Sequence, residues 1–170
     1  MERTMKRRWI SIYVENEIGM LAKISGLFSS KSYNIDTITV GETEDATISR
    51  MTIGLTIDDM TFEQIIKQLN RCVGVIKVID ITDARIHMKE LLFLKIRGCS
   101  EEDRTEIYRI AQAFDLKVID YDKNTVILEC VRTEERNNDI IRLMRNTFGG
   151  KIEIVRGGSV AIEAVSICDR

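Results

Sequence analysis

The order in which hydrophobic patterns follow one another restricts the fold of this chain more than any single motif does. Some segments alternate apolar and polar residues, which is typical of a half-buried β-strand. Others repeat apolar residues every three or four positions, which is typical of an amphipathic helix. These segments follow the order strand, helix, strand, strand, helix, strand, and the whole order then occurs a second time. The repetition predicts that the 170 residues form two units of one architecture.

The first repeat contains four predicted strands and two predicted helices. They are a strand with Ile10, Ile12 and Val14 on one face; a helix from Gly19 to about Lys31 with Met20, Leu21, Ile24, Leu27 and Phe28 on its apolar side; strands over residues 35–40 and 51–57; a helix from Phe62; and a strand over residues 75–81.

The second repeat has the same elements in the same order. They are a strand with Leu92, Leu94 and Ile96; a helix with Ile107, Ile110, Ala111 and Phe114; a hairpin over residues 116–121 and 126–131; a helix with Ile140, Ile141, Met144 and Phe148; and a strand over residues 151–155. Gly149-Gly150 and Gly157-Gly158 are predicted as turns, and the tail over residues 157–168 is expected to be partly ordered.

A βαββαβ order predicts an α+β fold of the ferredoxin-like type, an antiparallel sheet with both helices on one face. We therefore expect two such domains, over residues 1–82 and 83–170, with residues 83–89 as the linker. In this topology the second and fourth strands are sheet edges. The edge over residues 35–40 contains no proline or lysine that would discourage pairing, so we expect a homodimer through the N-terminal domain.

Composition excludes several classes of function. Hydrophobic residues make up 44% of the chain and charged residues 31%, with a net charge of −2, so neither disorder nor electrostatic binding to nucleic acid or an anionic membrane is expected. The longest uninterrupted apolar run, Leu91–Leu94, is far too short for a membrane span or a secretory signal, which predicts a cytoplasmic protein or the mature form of an organellar one.

Cysteine and histidine are too few and too dispersed for a metal site. The four cysteines, Cys72, Cys99, Cys130 and Cys168, show no paired spacing, and the single histidine, His87, is interpreted as a surface residue. The cysteines are therefore expected to be buried free thiols. No nucleophile with a histidine partner and no glycine-rich phosphate loop is present, so no catalytic site is predicted.

The start of the first helix differs from the starts of the other three. Thr61, Ser100 and Thr133 each precede acidic or amide residues that suit a helix N-terminus. The first turn of the first helix, from Gly19, has no acid, so its free N–H groups could hold a carboxylate. Together with nearby asparagines, this favours a free α-amino acid as ligand. The alternative is that Asn16 caps this helix and Gly19 is a turn residue, and spacing alone leaves both open.

The segment ENEIGMLAKISGLFSSKSYNIDTITVGETEDATISRMTI resembles the ACT domain of the small regulatory subunit of acetolactate synthase, also called acetohydroxyacid synthase. The second repeat is similar to the C-terminal domain of that family. The resemblance implies a non-catalytic protein that activates a separate large catalytic subunit, which carries thiamine diphosphate, Mg²⁺ and FAD. It also implies feedback inhibition by valine, and in some members of the family by leucine or isoleucine, in branched-chain amino acid biosynthesis.

The effector residues of the family motif correspond here to Asn16, Gly19, Met20, Leu21, Asn34 and Ile35. The resemblance implies that the effector binds at an ACT dimer interface and that this chain itself holds no cofactor and no metal. One departure is visible, because Ser32 stands where the family usually has glycine.

Two other interpretations are compatible with the βαββαβ topology. An ACT domain could regulate a different biosynthetic or transcriptional step. An RNA-recognition domain has the same strand and helix order, but it carries base-stacking aromatic residues on its third strand, whereas residues 48–57 contain none.

Overall fold

A computed structural model describes residues 4–165. By their contacts, the described residues up to His87 together with those from Ser159 onward form one compact unit, and Met88–Gly158 form the second. We call them the first and second unit. The predicted domain limits of 1–82 and 83–170 stay a prediction.

The first unit has the predicted order of elements. They are β1 (Lys6–Glu15), α1 (Met20–Ser30), β2 (Thr37–Glu42), β3 (Ile48–Ile57), α2 (Asp59–Leu69) and β4 (Val75–Asp80). Its sheet has the strand order β2-β3-β1-β4, with β1 antiparallel to both neighbours, so β2 and β4 are the predicted edges. Ile10, Ile12 and Val14 are fully buried beneath the helices, as the alternation predicted.

The second unit repeats the arrangement. Its elements are β5 (Ile86–Arg97), α3 (Glu101–Ala113), β6 (Lys117–Tyr121), β7 (Thr125–Arg132), α4 (Glu134–Phe148), a 3-10 turn (Gly149–Lys151) and β8 (Ile152–Glu163). The strand order is β6-β7-β5-β8. Leu92, Leu94 and Ile96 are fully buried with residues of both helices. The prediction of two ferredoxin-like domains with antiparallel sheets is therefore confirmed.

Three local expectations are wrong. The cap of α2 is Asp58, whose carboxylate accepts from the backbone N–H of Thr61 at 3.1 Å, so Thr61 lies inside the helix. Gly157-Gly158 are not a turn, because β8 continues through them to Glu163. The predicted linker is partly strand, since β5 begins at Ile86 and includes the exposed His87.

The cysteine expectation is met in part. Cys99 and Cys130 are buried free thiols, and burial raises the pKa of both. Cys72 is free but only partly buried. Cys168 lies outside the described residues.

A buried polar network joins β5, β7, α4 and β8 of the second unit. The Glu90 carboxylate accepts two hydrogen bonds of 2.8 Å from Arg156 and one of 2.9 Å from the Asn137 side chain. Asn137 in turn accepts from the Cys130 thiol at 3.2 Å. Glu90 and Asn137 are almost fully buried, and the carboxylate raises the pKa of the Arg156 guanidinium. The network fixes α4 against the sheet by directional bonds that the hydrophobic pattern does not encode.

Replacing Glu90→Gln should destabilise the protein by about 2–3 kcal/mol. This is at or below the roughly 3–5 kcal/mol cost of breaking a fully buried pair, because Arg156 keeps 34% side-chain exposure. Urea unfolding followed by circular dichroism measures the loss. The matched control is Glu153→Gln, whose partner Arg97 forms an exposed ion pair worth less than about 1 kcal/mol. Equal losses in the two variants would contradict the assigned role of the network.

Candidate effector site

The N-terminus of α1 is uncapped by any side chain. Its N-cap is Gly19, at φ +87°, and its first turn contains no acidic residue. Since an L side chain rarely adopts this φ, glycine suits the position, and the space beside its Cα is open. By contrast, Ser100 and Thr133 cap α3 and α4 through their hydroxyl groups, as predicted, and Asp58 caps α2. Of the four α-helices in residues 4–165, only α1 presents an uncapped positive end.

Asn16 fixes the β1–α1 turn to the β2–β3 hairpin and does not cap the helix. Its side-chain N–H groups donate to the Ala46 carbonyl at 2.9 Å and to the Glu42 carboxylate at 3.2 Å. Its side-chain oxygen accepts from the Ser49 hydroxyl at 2.9 Å. The helix-cap interpretation of Asn16 is therefore wrong. The same contacts place Asn16 beside the end of β2, and in the chain Asn16 lies three residues before Gly19, the N-cap of α1.

Asn34 and Ile35 lie before the start of β2. The Asn34 side chain donates to the Asp36 carboxylate at 3.1 Å, and Asp36 also accepts from Thr56 at 2.7 Å and from Arg7 at 2.5 Å. Asn34 is exposed, while Ile35 is partly buried and packs against the core of the first unit. Ser32, where the family usually has glycine, is left-handed at φ +57°, a conformation that costs a non-glycine residue about 1 kcal/mol.

The six predicted effector residues therefore form two groups within one chain. Asn16, Gly19, Met20 and Leu21 lie at the N-terminus of α1, near the end of β2. Asn34 and Ile35 lie beyond the C-terminus of α1, before the start of β2. Because α1 has 11 residues and is about 16 Å long, one small ligand cannot contact both groups of the same chain.

Two apolar side chains near the first group were not predicted as site residues. Ile18 is fully exposed in the β1–α1 turn, and Val40 is 46% exposed on edge strand β2. Leu21, which was predicted, is 49% exposed, whereas Met20 is buried in the core and its backbone N–H donates to the Glu17 carbonyl at 3.3 Å. A signal for Ile18 was available in the sequence, namely an apolar residue between polar ones in a predicted turn.

A concave surface of about 220 Å³, separate from the start of α1, lies on the helix-free face of the first unit's sheet. Residues of β2 and β3 line it together with Val160 and Ala161 of β8. Arg50 within it donates to the Ser11 hydroxyl at 2.9 Å and stacks over Tyr13, and Thr39 donates to the Ser159 carbonyl at 2.7 Å. Sequence reasoning missed this surface because the contribution of β8 depends on a contact of more than one hundred residues in sequence separation.

Within residues 4–165, no cluster of three or more histidine, cysteine, aspartate or glutamate residues is arranged to hold a metal ion. No helix in this range has both the length and the apolar character needed to cross a bilayer.

Family models match both units. Residues 10–77 match the small-subunit-like ACT domain of acetohydroxyacid synthase, and residues 89–165 match the small subunit of acetolactate synthase. The chain belongs to the acetolactate synthase small subunit family. That membership confirms the resemblance carried by the segment from Glu15 to Ile53, and the small-subunit designation assigns the chain to the regulatory, non-catalytic part of the enzyme, as predicted.

Individual relatives agree with the family models. The chain is 39% identical to the acetolactate synthase small subunit of Aquifex aeolicus, over 93% of this chain and 81% of that protein. It is 36% identical to the small subunit of Bacillus subtilis, over 91% and 89% of the two chains. The crystal structure of the small subunit from Thermotoga maritima superposes with a TM-score of 0.82 at 31% identity, covering 95% of this chain and 99% of that one.

Proposed function

We propose that this chain is the regulatory subunit of acetolactate synthase, which activates a separate catalytic subunit and confers feedback inhibition by valine or a related branched-chain amino acid. The observation that carries the effector part is the uncapped, acid-free start of α1 inside the ACT domain. The relatives, which are named as small subunits of acetolactate synthase, support the proposal that this chain binds a separate catalytic subunit. The thiamine diphosphate, Mg²⁺ and FAD belong in this proposal to the catalytic subunit, and the site of action is the cytoplasm.

The proposed effector site is completed by a second copy of the chain. Strand β2 is a sheet edge, and the two groups of site residues lie near its opposite ends. If two β2 strands pair antiparallel about a two-fold axis, the end of one strand meets the start of the other. The partner subunit's Asn34 and the partner subunit's Ile35 then approach Gly19 and Leu21 of the first chain. This geometry accounts for why the two groups are separated within one chain.

The chemistry of the two groups suits an aliphatic α-amino acid. Its carboxylate would bind the N–H groups of Gly19 and Leu21, where the helix dipole favours an anion. The N–H of Met20 would join them by exchanging its 3.3 Å hydrogen bond to the Glu17 carbonyl for one to the ligand. Its ammonium would bind the Asn16 side-chain oxygen, which has a second lone pair beyond the one used by Ser49, or a carbonyl near the partner subunit's Asn34. Leu21 and Val40, both about half exposed, offer aliphatic contacts.

Such a site has limited power to separate one branched side chain from another. One methylene in an apolar pocket changes binding by about 1–3 kcal/mol, so valine, leucine and isoleucine should overlap as effectors. A coupling free energy of about 1–3 kcal/mol between effector site and catalytic partner is sufficient for feedback control.

The purified chain alone should form no acetolactate from pyruvate, and mixing it with the catalytic subunit of its own cell should raise that subunit's turnover. Valine added to the mixture should lower the turnover again. A steady-state assay of each subunit alone and of the mixture measures all three effects. Turnover by this chain alone, or an unchanged rate on mixing, would contradict the proposed function.

Val40→Asp should dissociate the homodimer, because it buries a carboxylate at the proposed β2 interface. Sedimentation equilibrium of the full chain should show a monomer, and valine should no longer raise the melting temperature. The matched control is Val73→Asp in the α2–β4 loop of the same unit, where the valine is 80% exposed. If the control dissociates as readily as Val40→Asp, the assignment of the interface to β2 is wrong.

Asn16→Ala should weaken valine binding about ten- to a hundredfold, the loss expected when one charge-assisted hydrogen bond worth about 1.5–3 kcal/mol is removed. Isothermal titration calorimetry measures the dissociation constant. Asn16 also fixes the hairpin, so Ser49→Ala is the control, because it removes one hydrogen bond of that set and leaves the side-chain oxygen of Asn16 in place. An unchanged affinity in Asn16→Ala, or an equal loss in Ser49→Ala, would show that Asn16 acts through the hairpin only.

A further inference from the structure

Asp36 lies at the centre of a hydrogen-bond cluster at the start of β2, and it contacts one of the proposed effector residues. One oxygen of its carboxylate, Oδ2, accepts from the Arg7 guanidinium at 2.5 Å and from the Thr56 hydroxyl at 2.7 Å. The other oxygen, Oδ1, accepts from the side-chain NH2 group of Asn34 at 3.1 Å. The backbone N–H of Asp36 donates to the Gly54 carbonyl at 3.1 Å. The sheet therefore fixes the carboxylate, which offers one oxygen to Asn34.

The Arg7 side chain, the charged partner of Asp36, is itself held against the helix-free face of the sheet. Its guanidinium stacks on the Trp9 ring, 4.6 Å from the ring centre. Trp9 pairs with Gly54 across β1 and β3. A Cβ at position 54 would lie 2.8 Å from the Trp9 ring and 2.6 Å from the Arg7 guanidinium. Glycine at this position thus lets both side chains approach the backbone of β3, and the donor to Asp36 belongs to a packed surface.

The orientation of the Asn34 amide follows from this arrangement. A carboxylate has only acceptor atoms, so Asn34 must turn its NH2 group toward Asp36. The amide oxygen of Asn34 is thereby directed away from the carboxylate. Asn34 is exposed, and its amide oxygen has no hydrogen-bond partner among residues 4–165. The oxygen is therefore free to accept a hydrogen bond from a ligand.

We infer that Asp36 is a positioning residue of the proposed effector site, which sets the Asn34 amide so that its oxygen faces the ammonium group of the ligand. The inference rests on the proposed function, in which the partner subunit's Asn34 approaches the start of α1. An ammonium has three N–H donors, so it can bond this oxygen and the side-chain oxygen of Asn16 together. With the amide reversed, N–H donors would face the ammonium, and an attractive contact would become a repulsive one.

The test is isothermal titration calorimetry of the full chain with valine, beginning with Asp36→Asn. Because the Arg7 guanidinium can only donate, the new amide must keep its oxygen on Arg7 and turn its NH2 group toward Asn34, so the Asn34 amide reverses. Valine affinity should fall about ten- to a hundredfold, the loss expected for one charge-assisted hydrogen bond. Asp36→Ala leaves the Asn34 amide free to take either orientation and should cost only about twofold, because half of the sites stay competent.

An exchange variant, Asn34→Asp combined with Asp36→Asn, separates positioning from a general effect on folding. Its amide at position 36 directs an NH2 group at a carboxylate at position 34, whose other oxygen then faces the ammonium. The exchange variant should recover most of the affinity that Asp36→Asn loses, which is the coupling expected of two groups in direct contact. A role of Asp36 in stability alone would give no such recovery.

The matched control is Thr56→Val, which removes a hydrogen bond to the same carboxylate but leaves Oδ1 to accept from Asn34. Its valine affinity should stay close to that of wild type. Thermal melting shows whether each variant is folded.

If the wild-type chain binds valine and folded Asp36→Asn binds it equally well, the inference alone is wrong. It is also wrong if the exchange variant gains nothing over Asp36→Asn, or if Thr56→Val loses as much affinity as Asp36→Asn does. If the wild-type chain binds neither valine nor leucine nor isoleucine, the proposed function fails, and the inference fails with it.

Discussion

The antiparallel pairing of β1 with β3 is the interaction on which the first unit depends. It joins ten residue pairs from Lys6 with Ile57 to Glu15 with Ile48, and it buries Ile10 and Ile12 beside Ile53 and Met51. Because β1 and β3 occupy the centre, β2 is left at the edge. Because β1 ends at Glu15, the uncapped start of α1 lies at the same end of the sheet as the β2–β3 hairpin that Asn16 contacts. A shift of this register by one residue would turn the apolar face of β1 outward and would also separate Asn16 from Ser49.

Much of the fold follows from local sequence because its elements are strongly periodic. The alternation in β1 and β3 and the apolar stripe of α1 are sufficient to predict which side chains are buried. Where two local signals compete, prediction fails. Asp58 and Thr61 can both cap a helix, and only the structure shows that Asp58 takes the position while Thr61 donates to it. The glycine pair at 157–158 looks like a turn by composition, yet β8 runs through it and Gly157 lies against Leu91 of β5.

The candidate effector site was likewise predictable only in part from the sequence. The absence of an acid after Gly19 is visible in the sequence, and so is the resemblance that singles out Asn16 and Asn34. Their arrangement is not visible, since it depends on tertiary contacts such as those of Asn16 with Ala46 and of Asn34 with Asp36. The buried set around Glu90 escaped prediction for a related reason. Its members come from four elements, and a charged residue in a strand reads as solvent-facing until its partner Arg156 is placed beside it.

Strand β8 has a consequence for how the chain folds during synthesis. The described residues of the first unit are not contiguous, because residues 159–165 complete a unit whose other described residues end at His87. On a ribosome, which adds residues from the N-terminus at about 5–20 per second, the helix-free face of the first sheet stays uncovered until residues 159–165 have emerged. The second unit, from Met88 to Gly158, is by contrast continuous and can complete its core first. The unit that begins the chain is thus the last to be finished, and it cannot reach its final structure on a chain whose synthesis has stopped before Ser159.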